Sequence, residues 1–156
     1  MVARVKTFTF CGVNTIDVNV EAKLSAGLVA FNIVGLPDKA INEAKERIRS
    51  AIYSIGLAFP AKRLTINLSP ADVAKEGSYL DLPMAIALLV EMGIIPQDVI
   101  DEYVVMGELS LDGSINAVNG VLPASIGAKE RNLGIICPKD CATEALWAGD
   151  DVNVIG

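Results

Sequence analysis

The stretch "DLPMAIALLVEMG", Asp81 to Gly93, is apolar on nearly every side of a helix. A helix with no wet face has to be covered on most sides, so the rest of the chain must wrap it in layers. It does not span a bilayer: its uncharged apolar run, Leu82 to Val90, falls far short of roughly 20 residues. The 156 residues, 52% of them hydrophobic, suffice for one domain over residues 1–156 with a substantial core. Such a composition excludes a disordered chain.

The layers are legible on both sides of that helix. In "TIDVNVEAKL", Ile16, Val18, Val20 and Ala22 alternate with polar residues, the period of a strand with one wet face. "GLVAFNIVG" is more continuous and predicts a central strand. The period then changes: Ile41, Ala44, Ile48, Ala51, Ile52 and Ile55 recur at helical spacing, with Asp38 as the cap and Gly56 just past the end. "RLTINLS" alternates again. "YVVMGELSLDGSINAV" predicts two short strands joined at Asp112-Gly113. "GVLPASIGAKERN" predicts a helix that tolerates Pro123 in its first turn, "LGIICP" a strand, "KDCATEALWAGD" a helix and "VNVIG" the start of a strand. Strands and helices alternate in the second half, so the fold class is α/β. The apolar ending at Gly156 reads as one domain cut from a longer protein.

Several chemistries are excluded. The chain has no histidine, which removes Ser-His-Asp and Cys-His mechanisms. Three cysteines make no disulfide framework, and Cys137 and Cys141, four apart, have no His to complete a metal site. Neither phosphate-binding pattern, G-x-x-x-x-G-K-[ST] nor G-x-G-x-x-G, occurs, so no cofactor is expected in this domain and no small-molecule substrate is evident. The N-terminus lacks a signal peptide's apolar core, which predicts a cytoplasmic protein without a membrane partner. Net charge is −6, unevenly spread: residues 1–80 carry ten Lys/Arg against seven Asp/Glu, and residues 81–156 three against twelve. A split of this kind allows a basic face on an acidic protein.

Two groups of residues invite a functional reading. In "AKEGSYLDLP", Ser78 follows Gly77 and lies near Lys75, Glu76 and Asp81. A Ser-Lys dyad needs no histidine, because a lysine of lowered pKa can take the hydroxyl proton. Lys75, however, lies on a loop that reads as exposed, and an exposed lysine keeps its proton and is a poor base. The competing reading makes Tyr79 a packing residue and Asp81 the N-cap of the buried helix, and it is the one the pattern favours. On the first helix, Lys45 and Arg49 stand one turn apart, and Arg47 follows Glu43 by four and can pair with it. With Lys62, Arg63 and Lys75 they form either a solvated face or a basic strip for DNA. No aromatic residue is interleaved with them, so any nucleic-acid contact is expected to be electrostatic and sequence-blind. "GLPD", Gly35, Leu36, Pro37 and Asp38, is a turn signal between strand and helix at one edge of the domain.

The span from "GLPDKAINEAKERIRSAIYSIG" to "KEGSYLDLP" resembles the N-terminal domain of ComM-type proteins, the magnesium-chelatase-like AAA+ ATPases of bacteria. The likeness runs from Met1 to about Gly156. It is densest at "NIVGLPD", "ERIRSAI", "NLSPAD" and "KEGSYLDLP". It implies the fold of the Lon protease proteolytic domain, of the ribosomal-protein-like βαβ superfamily, with mixed sheets packed on helices. "GELSLDGSINAVNGVLPASIGAKERN" is similar to that fold as well. The resemblance also implies a full-length ATPase, using ATP and Mg in a ring that moves branched DNA in recombination and natural transformation. Its AAA+ domain would lie outside this chain, and the implied partners are that domain, neighbouring subunits and DNA.

In Lon-type peptidases the nucleophile loop reads Lys-Asp-Gly-Pro-Ser-Ala-Gly. Laid on "KEGSYLDLP", that pattern gives Tyr79 the serine's place and Ser78 the proline's. The peptidase lysine, in Gly-Gly-x-Lys, is matched by Leu122 of "NGVL", whose alkyl group accepts no proton. The resemblance thus implies a domain that is no enzyme and serves oligomer assembly, sequence-independent DNA contact, or both. Two alternatives stand beside it: a Ser-Lys type peptidase using Ser78 in another register, and an assembly module of a magnesium-chelatase-like ATPase without a DNA role.

Overall fold

The computed structural model describes residues 2–11, 14–70, 75, 77–141 and 154–155. In chain order its elements are β1 (Ala3–Cys11), β2 (Asn14–Ser25), β3 (Ala30–Val34), α1 (Asp38–Ser54), β4 (Arg63–Ser69) and α2 (Asp81–Glu91). There follow α3 (Gln97–Ile100), β5 (Tyr103–Val105), β6 (Glu108–Leu109), β7 (Ile115–Asn116), α4 (Val121–Glu130), β8 (Gly134–Ile136) and β9 (Val154–Ile155). Seven strands form one mixed sheet in the order β3-β4-β2-β1-β5-β8-β9, and β6-β7 is a separate hairpin. β2 pairs antiparallel with both β1 and β4, whereas β3 on β4, β5 on β1, and β8 on β5 run parallel.

Strand periodicity places the two cores on opposite faces of the sheet. Val20 of β2 and Leu64, Ile66 and Leu68 of β4 are fully buried with Ile48 and Ile52 of α1 and Met84 and Leu88 of α2. Phe8 and Val104 turn the other way and meet Val121, Ala124 and Ala128 of α4, with Ile135. Val105, next to Val104, returns to the first core, as a period of two requires. α2 is buried from Asp81 through Leu88 and again at Val90, the burial its all-round apolar sequence demands. Each fully buried Leu, Ile or Met in it contributes about 1.5–3 kcal/mol. No helix of the described residues is long and apolar enough to cross a membrane.

The predicted order of elements holds over the described residues, with local corrections. β3 is the outermost strand and not a central one: only Phe31 and Ile33 are buried, and Val34 is 51% exposed. Tyr103–Val105 leaves the hairpin and joins the main sheet beside β1; the hairpin itself spans β6 and β7, closed where Gly113 takes φ +88. Pro37, not Asp38, holds the N-cap position of α1. Gly56, just past the end of α1, has φ +84. Of "KDCATEALWAGD", a short 3-10 turn at Lys139–Cys141 is described and residues 142–150 lie outside the described residues.

Candidate functional site

Four sequence motifs converge at one end of the first core. Gly35 leaves β3 with φ +108, and a methyl group there would lie 2.7 Å from the Leu68 carbonyl oxygen and 3.2 Å from Cε of Lys75. The GLPD turn therefore lies directly on the end of β4 and on the lysine of "KEGSYLDLP". Lys75 is not exposed as its loop context suggested: it is 2% exposed, and its ammonium donates to the Pro70 carbonyl at 2.5 Å. The side chain is long enough to run under Gly35 and reach a carbonyl near the end of β4. Glu76 lies outside the described residues.

Beyond Lys75 the chain turns at Gly77, φ +118, where a methyl would collide with the Tyr79 ring. Tyr79 packs on Phe10 with ring centroids 5.6 Å apart, the packing role expected for it. Its carbonyl accepts a bond from Gly107 N–H at 2.9 Å, which ties the loop to the start of the hairpin. Ser78, half-buried, borders a cleft of about 530 Å³ between this loop and the N-terminus of α4. Phe10, Tyr79, Glu108, Asn119, Gly120 and Pro123 also line it. The cleft thus unites Ser78 with two residues of the "NGVL" stretch, while Leu122 is not among its lining residues. Its one charged lining side chain among the described residues is a carboxylate, Glu108.

Asp81 does not cap α2. Leu80 holds that position without a side-chain bond, and Asp81, first residue of the helix and 1% exposed, turns into the protein. There Arg47 grips it with two donors, Nε to Oδ2 at 2.5 Å and Nη2 to Oδ1 at 3.0 Å. Leu109 N–H adds a third bond at 3.2 Å. α1, α2 and the hairpin are joined at this one carboxylate. Burial pushes the Asp81 pKa up, against the bonds from Arg47 and Leu109 that pull it down. Arg47 itself, 22% exposed and so less desolvated, is held more firmly in its charged form, chiefly by its bonds to Asp81.

The other basic residues do not lie on one strip. Arg47 keeps its predicted contact with Glu43, at 3.9 Å, but its guanidinium is directed inward to Asp81. Arg63 precedes Leu64 on β4 and faces away from α1, beside Glu21 and Lys23 on the open face of the sheet. Lys62 is exposed. Lys45 and Arg49 sit over the Phe31 ring, at 5.9 and 5.8 Å from its centroid, and Arg49 is 5.3 Å from that of Phe59. Those two rings pack together at 5.2 Å. Phe31 and Phe59 lie outside the helix sequence, so the run of charges along α1 does not reveal them. Among the described residues no three His, Cys, Asp or Glu side chains gather as a metal site, and the sequence has no phosphate loop.

Comparison with known proteins places these features in a family. Residues 20–141 match the family model described as subunit ChlI of Mg-chelatase. The chain is 43% identical over 136 residues to the uncharacterized protein YifB of Escherichia coli K12, an alignment covering 87% of this chain and 27% of that protein. It is 39% identical over 139 residues to the competence protein ComM of Haemophilus influenzae Rd, covering 89% of this chain and 27% of that one. A Mycobacterium tuberculosis H37Rv protein is 40% identical over 138 residues, 87% of this chain and 27% of its own. The chain thus spans 27% of the length of each of these relatives.

Proposed function

Because the chain belongs to the family described as subunit ChlI of Mg-chelatase, we propose that it is the non-catalytic N-terminal region of a ComM-like protein, a packed scaffold that serves assembly. On this reading the full-length protein is a cytoplasmic AAA+ ATPase that acts on DNA in a ring of subunits. ATP hydrolysis, with Mg neutralising the phosphates, would drive that motion at a site formed by residues outside this chain. The Lon-like fold belongs to the same proposal; the mixed sheet with helices on both faces is compatible with it.

The observation that carries the non-catalytic reading is the chemistry around Ser78. A serine hydroxyl needs a base within bonding reach to become a nucleophile. The cleft offers a carboxylate, Glu108, as its charged lining group, and the ammonium of Lys75 donates to the Pro70 carbonyl. No lysine is among the described lining residues of the cleft, so none of them supplies the amine that a Ser-Lys dyad requires beside the hydroxyl. Incubation with a fluorophosphonate probe and with casein tests this. Wild type and Ser78→Ala are expected to be equally unlabelled and inactive. Labelling of wild type that vanishes in Ser78→Ala would establish a peptidase instead.

Assembly is favoured over DNA contact by this domain because the basic residues are dispersed. Arg47 is committed to Asp81, and Arg63 lies across the sheet from α1. The triple change Lys45→Glu, Arg49→Glu and Lys62→Glu in the full-length protein is therefore expected to leave DNA affinity and its salt dependence unchanged. Loss of three phosphate contacts would instead lower the slope of log K against log salt by about 2.7, and that result would move the DNA interface here.

A further inference from the structure

The seven-stranded sheet ends at β3, and no strand among the described residues pairs with its outer side. Ala30 N–H donates inward to the Lys62 carbonyl at 3.4 Å. The alternation of a strand then turns the N–H and C=O groups of Phe31 and Ile33 outward, along the free edge. Natural proteins ordinarily blunt such an edge with charge, proline or a bulge. Residues 26–36 contain no charged residue and no proline. Leu28 and Val29, which lead into the strand, are 86% and 69% exposed.

The flank of this edge is cationic. Lys45 and Arg49 stand beside it, over Phe31, and neither has a carboxylate partner among the described residues. One helical turn separates them, a rise of about 6 Å. Alternate residues of a strand are about 6.6–6.8 Å apart, so two side chains at i and i+2 of an added strand match that spacing.

We propose that the β3 edge receives an extended segment of a partner protein as an added strand, whose acidic residues at alternate positions meet Lys45 and Arg49. Backbone bonds to Phe31 and Ile33 fix the register, and the charges select the segment. A second copy of this chain suits the site poorly. Its own β3 carries no carboxylate, and edge-to-edge pairing would bring two cationic flanks together. Nucleic acid satisfies the cations but has no ladder of amides for the strand edge. The proposal does not rest on the non-catalytic reading of the cleft, and a peptidase would carry the same edge.

The test uses this chain and a blocked eight-residue peptide of alternating Glu and Val, followed by fluorescence anisotropy and by amide exchange. Saturable binding is expected, with slower exchange at Phe31 and Ile33. Lys45→Glu/Arg49→Glu, checked for unchanged thermal unfolding, should weaken it about tenfold or more. A peptide N-methylated at alternate residues should lose binding while keeping its charge, and the Lys-Val counterpart should not bind. The proposal is overturned by any of three results. The acidic peptide does not bind, the N-methylated peptide binds as well, or the site binds duplex DNA through the same cations with exchange at Phe31 and Ile33 unaltered. Because the N-methylated arm changes only the peptide, a folding defect in the variant cannot imitate it.

Discussion

Replacing Arg47 by Met should destabilise the domain by about 3–5 kcal/mol at pH 7, the cost of leaving a buried carboxylate without its cation. Asp81 is 1% exposed and takes two of its three bonds from Arg47. Burial already raises its folded-state pKa above the ordinary carboxylate value, and the bonds to Arg47 are the strongest influence opposing that rise. A raised pKa means that the Asp81 contribution is complete below the unfolded value and is lost as pH rises through the folded one. Without Arg47 the folded value climbs further, so the loss grows across the range from the ordinary carboxylate pKa toward neutrality. Urea unfolding at pH 5 and pH 7 reads this directly: the gap between wild type and Arg47→Met should be smaller at pH 5. Adding Asp81→Asn to Arg47→Met removes the stranded charge but keeps an acceptor for Leu109 N–H, and should recover most of the stability. A gap that is independent of pH, with no recovery in the double variant, would assign the loss to the arginine's packing instead.

The parts of this fold that could be read in advance are those where one side of an element is wet. β2 and β4 alternate visibly because one face meets the core and the other stays polar, with Leu64, Ile66 and Leu68 inward. α2 was legible for the opposite reason, since eleven residues with scarcely a polar position admit only an interior helix. β1 carries no such clear signal. It is buried on both faces, with Val5 on one side and Phe8 on the other, and its buried Thr7 and Thr9 break the apolar pattern. The place of β3 is hidden in the sequence because its continuous apolar character is shared with a central strand. Leu28 and Val29 just before it and Val34 at its end are exposed, yet carry the same signature on a free edge.

At the candidate site, sequence spacing exposed what is local and missed what is brought together by topology. Tyr79 as a packing residue followed from its neighbours. The partnership of Arg47 with Asp81 spans 34 residues, and no helical or strand period connects the two. An acidic residue before an apolar helix reads as a cap by every local rule. Only the approach of α1 and the hairpin shows that it is a buried junction. The burial of Lys75 is hidden for a related reason: its stem lies against a glycine 40 positions earlier, which local polarity does not report. The aromatic bed under Lys45 and Arg49 comes from β3 and from the loop after α1, so a search along the helix alone does not find it.

Gly35→Ala should be the other severe substitution, with a loss of about 3 kcal/mol or more, because two penalties coincide. The backbone at φ +108 disfavours any side chain, and the new methyl would stand 2.7 Å from the Leu68 carbonyl oxygen, 3.1 Å from Leu68 Cβ and 3.2 Å from Lys75 Cε. A backbone oxygen within β4 cannot swing aside as a side-chain tip would. Gly56→Ala separates the penalties. Gly56 has φ +84 with nothing within 4 Å of the added carbon, so it should lose only about 1–2 kcal/mol from conformation. The two variants should also differ in reach. Displacing Lys75 draws on the loop that leads to Gly77 and Ser78, so amide resonances of those residues should move in Gly35→Ala and stay in place in Gly56→Ala. Equal losses and an undisturbed loop in both would mean that the GLPD turn matters only for its backbone angles. Unequal losses with a shifted loop would make Gly35 the point at which the strand edge and the Ser78 cleft are mechanically joined, so that a strand added at β3 would press on the cleft through Lys75.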